Sequence, residues 1–168
     1  MIESMEPPDS HHLLAAQGWA ELGDFAEADV ELRQIAAPLR THPAVLACRF
    51  EIYRESQRWD LAAEVAVLLV ESMAGHAGSW ISLAYAVRRK TGGGIAEARQ
   101  ILTKARSLFP TESIIVYNLA CYDCQLGHPV TALEWLKLAM TLGRKKNIKN
   151  MALADADLQP LWEQIAEM

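Results

Sequence analysis

Apolar residues recur along this chain at intervals of three to four, the period of a helix with one buried face. No stretch shows the strict alternation of a half-buried strand, and proline and glycine fall mostly in the gaps between periodic stretches. The pattern predicts helix pairs over 9–22/25–39, 44–56/59–74, 78–91/94–108 and 111–126/129–143. A closing helix is expected over 157–167, within a capping segment of about 155–167. There Leu158, Leu161, Trp162 and Ile165 form an i, i+3, i+4, i+7 stripe, Glu163 and Glu167 point away, and Asp155 or Asp157 is the expected N-cap.

The pairs also repeat one another. "GDFAEA" from Gly23, "QRWDLA" from Gln57, "GGIAEA" from Gly93 and "GHPVTA" from Gly127 align on Ala28, Ala62, Ala98 and Ala132, at spacings of 34, 36 and 34 residues. Each segment reads as a tight turn between two helices. Gly23, Gly93 and Gly127 suit a turn that needs positive φ, and Gln57 departs from that rule. The small residue closing each segment lets the helices approach. Ala16, Ala86 and Ala120 do the same seven residues before the turn, where the second repeat has Phe50 instead. Leu32, Leu102 and Leu136 recur four after the alanines, and Ala105 and Ala139 supply a further small position.

This arrangement resembles the tetratricopeptide repeat, a helix–turn–helix unit of about 34 residues. The resemblance spans about residues 9 to 144 and implies an all-α, right-handed α-solenoid. The expected organisation is a disordered segment over 1–8 and one repeat domain over 9–168. Its repeats are placed at about 9–42, 43–76, 79–112 and 113–146, ahead of the capping helix.

The resemblance further implies that the first helix of each pair lines a concave groove holding a peptide or helix. In this register the groove positions are Gln17, Ala20 and Glu21, then Glu51, Arg54 and Glu55, then Trp80, Leu83, Val87 and Lys90, then Tyr117, Asn118, Cys121, Cys124 and Gln125. The first half is charged and the second half apolar, with Trp80 and Tyr117 as candidate anchors. The alternative is that Leu83 and Val87 fill the gap between neighbouring helices. One subtype of the family grips acidic chaperone tails through a clamp of lysines, asparagines and an arginine. Here those places hold Leu13, Gln17, Cys48, Trp80 and Ala84, with Asn118 alone of the right type, so that activity is not expected.

Composition narrows the function. Hydrophobic residues at 51% and charged residues at 22% suit a soluble globular chain, and no apolar run reaches the roughly 20 residues of a membrane helix. A net charge of −5 argues against nucleic-acid binding, which needs basic surface. The acidic start, carrying Pro7 and Pro8, does not read as a signal peptide, so a cytoplasmic location is expected.

Candidate chemistry centres on Cys121, Cys124 and His128. Two cysteines one helical turn apart, late in a helix, lack both a fourth metal ligand and the helix N-terminus that activates a thiol, and they read as small packing residues. "TGGG", Thr91 to Gly94, lacks phosphate-loop spacing, and "RKKNIK", Arg144 to Lys149, reads as a solvated helix end. No catalytic constellation, metal or cofactor is expected. The chain is read as a non-catalytic protein–protein interaction module, an adaptor or assembly factor. The alternatives are a chaperone for apolar segments of secreted or membrane-inserting proteins and a metal or redox protein built on the cysteines.

Overall fold

A computed structural model describes residues 5–168, which form ten α-helices and no strand. The fold is an all-α array of helix–turn–helix repeats of the α-solenoid class. The chain packs as two compact units, Met1–Thr91 and Gly92–Met168, where one domain over 9–168 is expected from sequence. Unit 1 holds α1 (Asp9–Glu21), α2 (Phe25–Gln34), α3 (Pro43–Glu55), α4 (Trp59–Ser72) and α5 (Ala77–Val87). Unit 2 holds α6 (Ile95–Leu108), α7 (Ser113–Gln125), α8 (Pro129–Leu142), α9 (Lys145–Ala154) and α10 (Trp162–Glu167).

Small residues set the helix spacing in both units. Ala28, Ala62, Ala98 and Ala132 are fully buried, as are Ala16, Ala86 and Ala120. Leu32, Leu102 and Leu136 are fully buried one turn further on, each contributing roughly 1.5–3 kcal/mol by leaving water. Phe50 is also buried at the position where the other repeats use alanine.

The turns share one backbone device. Gly23, Gln57 and Gly127 take φ of 79°, 56° and 80°. In the third repeat the left-handed residue is Gly92, at φ 68°, and not Gly93; the two extra residues of that repeat lengthen its turn. Asp24 caps α2 by accepting from the Glu27 N–H, and His42 caps α3 at the Ala44 N–H.

Three further departures have physical causes. Helix α2 ends at Gln34 and not at 39: Ile35 is extended and buried, and Arg40 donates to the carbonyls of Ile35 and Arg33. The closing helix starts at Trp162, because Pro160 interrupts the pattern and Ala156–Leu161 forms a 3-10 stretch capped by Asp155. The basic run does not close the preceding helix but opens helix α9, Lys145–Ala154, with Arg144 at its N-cap and Ile148 and Ala152 buried. Of the segment 1–8, residues 1–4 lie outside the described residues; Met5 packs against the unit 1 core of Ala16, Leu32 and Ile52.

Candidate functional site

The groove in unit 1 runs between the first helices of the first two repeats. It has a volume of about 1030 Å³ and is lined by Gln17, Ala20 and Glu21 of α1, Gly23 of the following turn, Phe25 at the start of α2, and Ala44, Ala47, Cys48, Glu51 and Glu55 of α3. Helical spacing accounts for the set. Residues 17 and 21 are four apart, and 44, 48, 51 and 55 follow in steps of four, three and four with Ala47 beside Cys48, so each helix presents one stripe. Alanines and the mostly buried Cys48 make a shallow apolar floor, while the exposed Glu21, Glu51 and Glu55 stand at the groove. Arg54 pairs with both Glu51 and Glu55. Burial raises the Cys48 thiol pKa to about 11, so this cysteine is a protonated packing group at neutral pH.

The remaining predicted groove residues are placed differently. Trp80 is only 8% exposed, and its indole N–H donates to the Ala74 carbonyl, fixing the loop that enters α5. Val87 is buried, and Leu83 and Lys90 are half-buried. Trp80 and Val87 therefore face the packed side of α5 and are core residues of unit 1. Their alternation with alanines at 84 and 86 left the helix phase open in the sequence.

In unit 2 the expected surface of α7 is covered by the chain's own tail. Tyr117 Oη donates to Asp155 Oδ2 at 2.8 Å, and the Cys121 thiol approaches the same oxygen at 3.4 Å. Gln125 Nε2 donates to the Asp157 carbonyl at 2.8 Å, and the Asp157 N–H donates to Asp155 Oδ1 at 3.0 Å. Tyr117, Cys121 and Cys124 are buried, while Asn118 is half-buried and bonds to the Ile114 carbonyl of its own helix. Leu158, Leu161 and Ile165 are buried, and the Trp162 indole donates to the Ala152 carbonyl. The expected N-cap role of Asp155 was the sequence signal that lay nearest to this latch.

Cys121, Asp155 and Asp157 bring three potential ligand atoms within 4.8 Å of one another. The arrangement suits hydrogen bonding better than metal binding. Both Asp155 oxygens already accept hydrogen bonds. Burial first, and the Asp155 and Asp157 carboxylates second, push the Cys121 thiol pKa well up, which disfavours the thiolate a metal requires. Tyr117 is pushed up as well, by burial and then by its polar neighbours, and stays a donor. Burial likewise raises Cys124. His128 does not join the cysteines: its Nδ1 lies 3.1 Å from Asp123 Oδ1.

Asp123 is a polar centre that sequence reasoning missed. It is fully buried and also accepts from Arg99 Nε at 2.8 Å and Trp135 Nε1 at 2.9 Å, tying α6, α7 and α8 together. Burial alone would raise its pKa, but the bonds from Arg99, His128 and Trp135 outweigh that and hold it below its ordinary value. Thr91, at the start of the glycine run, donates from both N and Oγ1 to Asp60 at 3.0 Å, so this turn is tied to α4.

No protein-family model matches the sequence, and neither does any curated protein. Solved structures do. A MamA fragment from Desulfovibrio magneticus superposes with a TM-score of 0.70 at 18% identity, covering 82% of this chain and 76% of that one. A thermophilic tetratricopeptide-repeat protein of Thermus thermophilus gives a TM-score of 0.68 at 17% identity, covering 94% and 82%. A putative kinesin light chain of Podospora anserina with nearly identical repeats gives 0.64 at 20% identity, covering 98% and 96%. The chain thus has a tetratricopeptide-like repeat fold.

Proposed function

We propose that this protein is a non-catalytic protein–protein interaction module, an adaptor or assembly factor that takes a peptide or helix into the groove of unit 1. The observation that carries this reading is the open groove between α1 and α3, with its apolar floor and exposed polar rim. Its volume is at the upper end of the roughly 300–1,000 Å³ of small-molecule sites, and it is a trough, which suits a chain segment better than a compact ligand. The buried Asp123 and the half-buried Asp155 are engaged in hydrogen bonds that join helices and tail, a structural use.

The chaperone alternative drew on an apolar second half at Trp80, Leu83, Val87, Tyr117 and Cys121. Four of these five are buried, which weakens it. A cytoplasmic location and the exclusion of nucleic acid belong to the same proposal. Three cysteines without a disulfide suit a reducing compartment, and the net charge of −5 repels phosphates. No helix among the described residues is long and apolar enough to cross a membrane.

Paired substitutions test the site. Ala47→Trp fills the floor, and it is expected to weaken binding of a partner identified by co-purification at least about tenfold at an unchanged melting temperature. Trp80→Ala should do the reverse, costing about 3–5 kcal/mol of stability while leaving affinity intact. Wild-type affinity in the Ala47→Trp protein would sink the groove reading.

A further inference from the structure

The register between repeats gives the groove a chemical sign, an inference that rests on the groove reading above. Ala16, Phe50 and Ala120 hold equivalent places, so Cys121 of α7 corresponds to Gln17 and Glu51, and Gln125 corresponds to Glu21 and Glu55. On α7 these positions carry an occupant, the segment beginning at Asp155. It meets the helix through one extended residue, Asp155, and the 3-10 stretch Ala156–Leu161 that follows. That segment bears two carboxylates and no basic side chain, and the side chains receiving it, Tyr117, Cys121 and Gln125, carry no negative charge.

In unit 1 the same positions are inverted. Glu21, Glu51 and Glu55 project at the groove, no lining residue is basic, and Arg54 alone is shared between two of the three carboxylates. The imbalance extends to the whole unit. Residues 1–91 hold 13 acidic and 8 basic side chains and so carry the entire net charge of −5, whereas residues 92–168 hold 8 of each. Such a field concentrates cations and speeds their docking.

We propose that the groove between α1 and α3 binds a short segment of another protein that carries at least two lysine or arginine side chains interleaved with small apolar residues. The small floor at Ala44 and Ala47 admits the apolar side chains, the carboxylates of Glu21, Glu51 and Glu55 receive the cations, and Gln17 adds a neutral amide at the groove. Each exposed ion pair adds little on its own, so charge selects the partner and sets the association rate, while floor contacts set the lifetime. A second copy's Asp155–Leu161 segment has the wrong sign for this groove.

The test is selection of a random peptide display library, about 12 residues long, on the full chain at about 50 mM salt, where charge effects are least screened. Enriched peptides should carry a net charge of about +2 or more and weaken at least about fivefold on raising salt to roughly 500 mM. They should bind Ala47→Trp at least about tenfold more weakly, and the double variant Glu51→Gln/Glu55→Gln at least about fivefold more weakly. Both glutamates are 54% exposed, so the double variant should fold, which circular dichroism checks. Neutral or acidic peptides that still require the open groove would overturn this inference and leave the groove reading standing. Peptides that bind Ala47→Trp as well as the parent, or a selection that enriches nothing, would overturn the groove reading itself. Self-association of the chain that Ala47→Trp abolishes would assign the groove to a second copy and also overturn the proposal.

Discussion

The two units solve one packing problem with opposite chemistry. One residue past the turn alanine, the second helix of a pair offers Asp29 in unit 1 and Arg99 in unit 2. Each reaches a residue 24 positions on, in the first helix of the next pair: Tyr53 donates to Asp29 at 3.4 Å, and Arg99 donates to Asp123 at 2.8 Å. The geometry is shared and the carboxylate has changed sides. In unit 1 the cations that meet Asp29 are near the surface, with Arg33 70% and Arg58 36% exposed. In unit 2 the carboxylate is fully buried and has three donors. The same contrast governs the first helices, whose face is open at α3 and closed by the tail at α7. A helical repeat specifies spacing through small residues, and leaves the side chains between the helices free to differ.

Removal of residues 155–168 should break the comparison most strongly. Leu158, Leu161 and Ile165 are buried, and losing three such side chains forfeits roughly 5–9 kcal/mol, comparable with the whole stability of a small domain. Hydrogen exchange should show protection lost across 92–154 while α1 to α4 stay protected. A truncated protein that melts with the full chain would mean the tail is not part of the unit 2 core.

Asp123→Asn comes next, at about 1–3 kcal/mol near neutral pH, because it removes the charge from a fully buried acceptor of the Arg99 and Trp135 donors. The pH dependence has a definite sign. The folded-state pKa lies below the ordinary 3.8, so this stabilisation is complete above that value and fades as pH falls below it. Melting temperatures of the parent and variant should therefore converge in acid. A gap that stays constant down to about pH 2.5 would remove the charge from the explanation.

The smallest effect is at a turn. Gln57 sits at φ 56° where the other three turns use glycine, and a side chain there costs roughly 1 kcal/mol. Gln57→Gly should raise the melting temperature by about 2–4 °C. An unchanged or lower melting temperature would show that the Gln57 side chain offsets its own strain.

Periodicity and the four alanines were enough to predict the helix pairs, their turns and the repeat class, because those depend on which residues can lie within a few ångströms of a neighbouring helix. Gln57 was legible as an exception for the same local reason. The candidate site was legible only in unit 1, where Gln17, Glu21, Glu51 and Glu55 are polar and take the outer face in any plausible helix phase. Trp80 and Tyr117 were not, since an aromatic at the edge of a helical stripe suits a groove or a core equally, and what packs against it decides. Tertiary structure alone brought Asp155, 38 residues away, onto Tyr117, and gathered Arg99, His128 and Trp135 around Asp123. Such contacts join residues distant along the chain, and local periodicity carries no information about which polar groups will meet once the helices have stacked.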